Sequence, residues 1–259
     1  MSHKTPDWTP ATLSEYDGVR FLHLDSIWVQ GAMRIRKPQV LELEYIQRML
    51  AWMLWRDDAE LATGQAVQLG LGAGALTRFC SQVLKMRTTA VEINPTVIAA
   101  CRSWFHVPED NERLQVVNLD AARWLVRAEP QQVAVLNVDL YDHEAASPVL
   151  DDEDFYAACR TVLADGGLMT VNLFGRNASF ARSASRVARV FGSDQVWTLA
   201  PTKEGNTVVV AARGVQVPDR AELERRAANI EARYLGYGLP ARKWLRLVRP
   251  LPLSIINQL

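Results

Sequence analysis

The residues whose types and spacing can do chemistry begin with Gly70-Leu71-Gly72-Ala73-Gly74, which follows the apolar run Ala66 to Leu69 without a break. Glycine lets a chain turn tightly and approach a ligand with no Cβ in the way. A helical segment after such a turn aims its free N–H groups back at whatever the turn holds. A second apolar run ends in Glu92, where an acid at a strand end can accept hydrogen bonds from ribose hydroxyls. Asn94-Pro95 opens a helix to about Phe105, and Arg113 to Asp120 forms a third strand that also ends in an acid. Glu92 for a ribose and Asp120 for an adenine amino group suit a single nucleoside. The turn lacks the G-x-G-x-x-G spacing of dinucleotide sites, and no Walker lysine-serine pair follows it. Asp120 also stands where the N-cap of the helix AARWLVRA belongs, and the two roles can coexist.

The elements that must position these residues alternate between about Leu61 and Gly214. Strands are expected at 66–70, 88–92, 114–119, 133–139, 167–173 and 206–212, with an additional one at 195–199. The fourth, QVAVLNVDL, is a short apolar run of the kind buried on both faces of a sheet, and Asp139 and Asp142 lie at its mouth. Helices are expected from Glu153 to Leu163, stopped by Asp165-Gly166-Gly167, and from Phe180 to Phe191. This alternation predicts a parallel α/β sheet of six or seven strands with ligands at the strands' carboxyl ends. Ahead of it, residues 1–17 read as a loose arm and Val19 to Ile35 as a small antiparallel meander. Leu41 to Trp55 reads as a largely buried helix. After Pro218 come a charged helix, Arg220 to Tyr234, and a tail that is basic and then apolar. The expected divisions are 1–60 for the arm, meander and helix, 61–215 for the nucleoside-binding domain, and 216–259 for the C-terminal helix and tail.

Lys plus Arg and Asp plus Glu each number 29, so no net field draws the chain to nucleic acid or to a membrane. Cys80, Cys101 and Cys159 are scattered, with no CxxC spacing, and read as reduced buried thiols. The four histidines have no ligand spacing, so no metal is expected. With no apolar signal core and no long apolar stretch, a cytoplasmic location is expected.

The motifs together resemble the S-adenosylmethionine-dependent methyltransferase fold and, within it, the spermidine synthase family of aminopropyltransferases. The resemblance runs from about Trp28 to Val210. That family writes its motifs as a strand followed by GGGDGG, then VEIDP, then a strand ending in Asp before a helix with an aromatic. Here they stand as GLGAGA, VEINP and NLDAARWL. Its catalytic strand with D-x-x-D stands as Val138-Asp139-Leu140-Tyr141-Asp142, and its Phe-Tyr helix as Phe155-Tyr156. The resemblance implies a Rossmann-like, mostly parallel sheet with helices on both faces and a small N-terminal β appendage. It implies a donor nucleoside held by Gly70, Gly72, Gly74, Glu92 and Asp120, with the adenine passing Ala121. The donor would be S-adenosylmethionine or its decarboxylated form, the acceptor a small-molecule amine, and the assembly a homodimer. In the family the acid matching Asp139 lies near the donor's sulfonium, and the one matching Asp142 takes the proton of the attacking amine. The chemistry needs such a group, because an amine protonated at neutral pH must lose a proton to become nucleophilic. Tyr45 and Gln47 match the family's acceptor-holding Tyr-His-Glu, and Tyr141 packs against substrate or covers the strand end.

Three departures bear on the reaction. The family's acid in its glycine loop is Ala73 here, its Asp-Pro-x-Gly-Pro has become Asp142-His143-Glu144-Ala145-Ala146, and its charged Glu has become Gln47. Putrescine is therefore expected to be a poor acceptor. Two other readings stay open. One is a methyltransferase using ordinary S-adenosylmethionine, since losing an acid at Ala73 removes a repulsion toward the methionine carboxylate. The other is a catalytically weak nucleoside-binding protein that acts through partners, with the tail from Arg242 to Leu259 as its cue.

Overall fold

The computed structural model describes residues 8–141, 150–174, 178–251 and 255. The chain opens with β1 (Ala11–Tyr16), β2 (Val19–Leu24) and β3 (Gly31–Arg34), an antiparallel three-stranded sheet. β1 falls inside the segment expected to be a loose arm. Its side chains are mostly exposed, so no apolar alternation betrays it, yet Asp17-Gly18 joins Tyr16 to Val19 as a two-residue hairpin turn with positive φ at both positions. α1 (Glu44–Met49) runs on into a 3-10 segment, Leu50–Trp55, rather than one continuous α-helix. Every residue from Leu50 to Trp55 is buried, so no polar stripe selects a 3.6-residue period there.

Next come β4 (Gln65–Leu69), the short helix α2 (Ala75–Arg78) continuing as a π-turn to Val83, β5 (Arg87–Glu92) and α3 (Pro95–Trp104). β6 (Leu114–Asn118), α4 (Ala121–Arg127), β7 (Val133–Val138), α5 (Glu153–Val162) and β8 (Leu163–Phe174) follow. The chain finishes with α6 (Ala178–Phe191), β9 (Val196–Leu199), β10 (Asn206–Ala212), α7 (Arg220–Tyr234), α8 (Ala241–Leu247) and β11 (Val248–Pro250). The second sheet has eight strands in the order β6-β5-β4-β7-β8-β10-β9-β11. β4 to β8 run parallel, and β10, β9 and β11 pair antiparallel at one side. The eighth strand is a correction to the expected six or seven: Val248 leaves α8 in extended conformation and pairs with Leu199. Asp165-Gly166-Gly167 also differ from expectation. The helix ends by itself at Val162, and the two glycines absorb an irregularity at the start of β8, with Gly166 at φ +73°.

Apolar residues alternate between the sheet's two faces. On β10, Val208, Val210 and Ala212 face the layer made by Leu50–Trp55 and the C-terminal helices, while Val209 and Ala211 face α5 and α6. Trp244 and Leu245 of the tail are buried in the first layer, so these apolar residues pack on their own chain. The rest of that tail, residues 252–254 and 256–259, lies outside the described residues. β4 sits between β5 and β7, which puts the strand-order reversal, and the crevice it opens, at the carboxyl end of β4.

Candidate active site

A cavity of about 580 Å³ opens at that end. Gly70 and Gly72 line it. Gly70 has φ +90°, and a Cβ there would overlap the Asp139 carbonyl oxygen, so only glycine lets the ends of β4 and β7 come this close. Gly74 does not line the cavity. It caps α2 in the left-handed region, and its missing Cβ makes room for Val107, so its role is packing. The loop is fastened from behind: the buried Arg78 guanidinium donates to the Ala73 and Phe105 carbonyls, both at 2.6 Å, and Cys101 Sγ donates to Gly72 O at 3.0 Å. No carboxylate pairs with Arg78 among the described residues, and burial pulls its guanidinium down to about 10.

Glu92 is locked in place. Its Oε2 accepts from Leu71 N at 3.0 Å and its Oε1 from Asn94 N at 2.8 Å, which ties the acid to the glycine loop and to the start of α3. Burial pushes its carboxyl above the usual range, while these backbone donors act in the opposite direction. Asp120 caps α4 by accepting from Arg123 N at 2.9 Å, and it lines the cavity together with Ala121. The cap and a ligand contact are compatible, because a carboxylate has lone pairs to spare.

Asp139 stands at the mouth of β7. Its Oδ1 accepts from Asn172 Nδ2 at 2.9 Å, and it is hydrogen-bonded to the Tyr45 hydroxyl. Burial raises its carboxyl, and the Asn172 and Tyr45 donors oppose that shift. The Tyr141 ring lines the cavity, while its hydroxyl is tied into β8, donating to Asn172 O at 2.8 Å and accepting from Phe174 N at 2.6 Å. Asp142 lies outside the described residues, as do His143 to Ala146. Gln47 does not line the cavity. Its Nε2 donates to Leu41 O at 2.8 Å and lies against Gly238. The neutral amide there removes no charge from the cavity wall, so the expectation of weakened diamine contacts keeps only the departures at Ala73 and at 142–146.

Several lining residues escaped the sequence reading. Glu42 and Glu44 precede Tyr45, Asn172 interrupts the apolar strand LMTVNLF, and Glu204 and Asn206 flank Gly205 at the start of β10. Only Asn172 carried a signal, a carboxamide in the middle of a buried apolar run. Trp28, on the β2–β3 connection, meets Phe174 edge to face with ring centroids 6.3 Å apart. The lining thus holds six carboxylates, Glu42, Glu44, Glu92, Asp120, Asp139 and Glu204, and no Lys, Arg or His among the described residues. Glu42 and Glu44 are paired with cations outside the lining, Arg34 at 2.6 Å for the first and Arg48 at 2.9 Å with Lys243 at 2.7 Å for the second.

The sheet order and the glycine turn at the reversal point define the class: a Rossmann-like fold of the S-adenosylmethionine-dependent methyltransferase type. Comparison with known proteins agrees. The domain family described as "Spermine/spermidine synthase domain" matches residues 70–212. A polyamine aminopropyltransferase of Chromobacterium violaceum is 31% identical over 226 residues, 86% of this chain and 84% of the relative. Among solved structures, a probable spermidine synthase from Corynebacterium glutamicum superposes with a TM-score of 0.70 at 22% identity, covering 89% of this chain and 85% of that one. Human methyltransferase-like protein 13, in complex with SAH, superposes with a TM-score of 0.64 at 19% identity, covering 84% of this chain and all of that one. The chain belongs to the spermine/spermidine synthase family and is a transferase.

Proposed function

We propose that the protein transfers an aminopropyl group from decarboxylated S-adenosylmethionine to a small-molecule amine. The observation that carries this reading is the charge of the cavity: four of its six lining carboxylates, Glu92, Asp120, Asp139 and Glu204, have no cationic partner and no basic side chain lines it, among the described residues. Decarboxylated donor brings an ammonium and a sulfonium and no carboxylate, and the acceptor brings a further ammonium. An acidic, partly desolvated wall favours such charges and disfavours the carboxylate of the intact donor.

In this reading the ribose hydroxyls lie on Glu92 and the adenine between Asp120 and Ala121. Asp139, oriented by Asn172 and Tyr45, holds cationic charge beside the reacting carbon. Asp142 takes a proton from the acceptor ammonium, and the freed nitrogen lone pair attacks the donor's methylene carbon. The new C–N bond forms as the C–S bond breaks, and its electron pair stays on sulfur as neutral methylthioadenosine. The amine product leaves as a secondary ammonium with its full charge, and the proton held by Asp142 passes to solvent. General base assistance of this kind contributes roughly a hundredfold or more. The deciding assay incubates purified protein with decarboxylated or intact donor and a panel of amines, with product read by mass. Methylthioadenosine and an aminopropylated amine are expected from the decarboxylated donor. Methyl transfer from the intact donor, without aminopropyl transfer, would instead select the methyltransferase reading.

A further inference from the structure

Below the cavity a row of polar side chains crosses the sheet where its neighbours are apolar. Gln68 on β4, Asn137 on β7 and Thr170 on β8 hold adjacent positions in the strand registers, and none is more than 1% exposed. The Gln68 and Asn137 carboxamides meet at 2.8 Å. Thr170 Oγ1 lies 2.6 Å from the near carboxamide atom of Asn137 and 3.0 Å from Met49 O. The Gln68 carboxamide also lies against the Cys80 thiol, which burial pushes up to about 12 and so keeps protonated. Such a row gives up hydration that an apolar one never had, so its hydrogen bonds must be complete.

Counting protons fixes the direction of the row. A hydroxyl has one proton to donate. If Asn137 presented Oδ1 to Thr170, two oxygens would compete for that proton, and Gln68 Nε2 would be buried with no partner among the described residues. The oxygen and nitrogen of a carboxamide fill interchangeable positions, so both amides can be turned over. Cys80 Sγ then donates to Gln68 Oε1, Gln68 Nε2 to Asn137 Oδ1, Asn137 Nδ2 to Thr170 Oγ1, and Thr170 Oγ1 to Met49 O. Every contact now has one donor and one acceptor, and the row ends by donating to α1.

Asp139 and Asn172 lie two residues beyond Asn137 and Thr170, on the same face and about 6.6 Å nearer the cavity. Met49 lies four residues after Tyr45, about 6 Å along α1. The helix therefore meets the sheet at two matching levels, Met49 O on Thr170 and the Tyr45 hydroxyl on Asp139. We propose that Thr170 is a positioning residue: its hydroxyl seats the end of α1, and through α1 it fixes the hydrogen bond between Tyr45 and Asp139. Its effect on the donor rests on the reading above, in which Asp139 holds cationic charge beside the reacting carbon.

The test compares Thr170→Val, which keeps the shape and removes the hydroxyl, with Thr170→Ser, which keeps the hydroxyl and removes a methyl. Tyr45 is replaced by 3-fluorotyrosine in each full-length protein, and its fluorine resonance is recorded. The resonance should move in Thr170→Val and stay near the parent position in Thr170→Ser. In calorimetry Thr170→Val should weaken decarboxylated donor about fivefold, the loss of one ordinary hydrogen bond, and leave methylthioadenosine unchanged. An unmoved resonance in Thr170→Val, or an equal movement in Thr170→Ser, would overturn the proposal. The natural protein supplies a measurement that needs no variant. Nuclear Overhauser contacts should join the Asn137 side-chain amide protons to Thr170. Contacts from the Gln68 amide protons to Cys80 instead would give the row the opposite direction and overturn the proposal equally. A resonance that responds to Thr170 while donor affinity does not would leave the seating of α1 standing and remove the assigned role of Asp139 toward the donor.

Discussion

Replacing Asn172 by Ala probes how the site keeps a buried acid charged. Asn172 is 3% exposed, and its carboxamide links Asn206 to Asp139 Oδ1. Desolvation already raises the Asp139 carboxyl, and the Asn172 bond is the largest influence opposing it. A hydrogen bond to a charged group contributes about 1.5–3 kcal/mol. If that bond serves to keep Asp139 ionised for a cationic ligand, Asn172→Ala should weaken decarboxylated donor by about tenfold to a hundredfold. The loss should depend on pH in a defined direction. An ammonium needs the ionised acid, so affinity falls as pH drops through the raised Asp139 value, and the variant moves this fall to higher pH. The assay is calorimetry across a pH series, with methylthioadenosine as the control because it has no ammonium. The reasoning is refuted by a folded variant whose donor affinity and pH profile match the parent. It is equally refuted by one that loses methylthioadenosine to the same degree, which would mean general damage to the cavity.

Glu92→Ala should weaken methylthioadenosine binding by about 1.5–3 kcal/mol, since it removes a charged acceptor for the ribose, and unchanged affinity in titration would reject that assignment. Asp142→Asn should lower turnover about a hundredfold or more with little change in donor affinity, as measured by initial rates beside calorimetry. Asp139→Asn should raise the unliganded melting temperature at neutral pH. A carboxyl whose folded value is raised binds protons more tightly when folded, so its ionised form costs stability above the ordinary carboxylate range. That gain should shrink as pH falls back through the raised value, and scanning calorimetry at several pH values would detect a gain that does not. Trp244→Ala should cost about 3–5 kcal/mol in denaturant unfolding, because the ring is 1% exposed in the core.

The parallel strands and the glycine turn were legible because burial on both faces writes near-continuous apolar runs, and because a left-handed turn demands glycine. Glu92 and Asp120 were legible for the same reason: each ends such a run. β1 was not legible, since a strand paired on one side and exposed on its faces leaves little alternation to read. The far wall of the cavity was harder still. Glu44, Asn172 and Glu204 come from three separated segments, and their convergence is a property of sheet order. Gln47 was misassigned by matching a motif in sequence, whereas helix periodicity turns it toward Gly238 and leaves Glu44 and Tyr45 at the cavity.

The pairing of Lys243 with Glu44, at 2.7 Å, has a consequence for how the molecule comes into being. Glu44 lines the cavity near the start of the chain, and the cation that most strongly holds its carboxyl below the usual range sits in α8 near the end. With α8 undocked the cavity wall lacks the Lys243 charge beside Glu44 and has a different electrostatic potential. The site therefore has its finished charge pattern only when α8 is docked. A C-terminal truncation or fusion that unseats α8 would remove that charge from the side of the cavity that Glu44 lines.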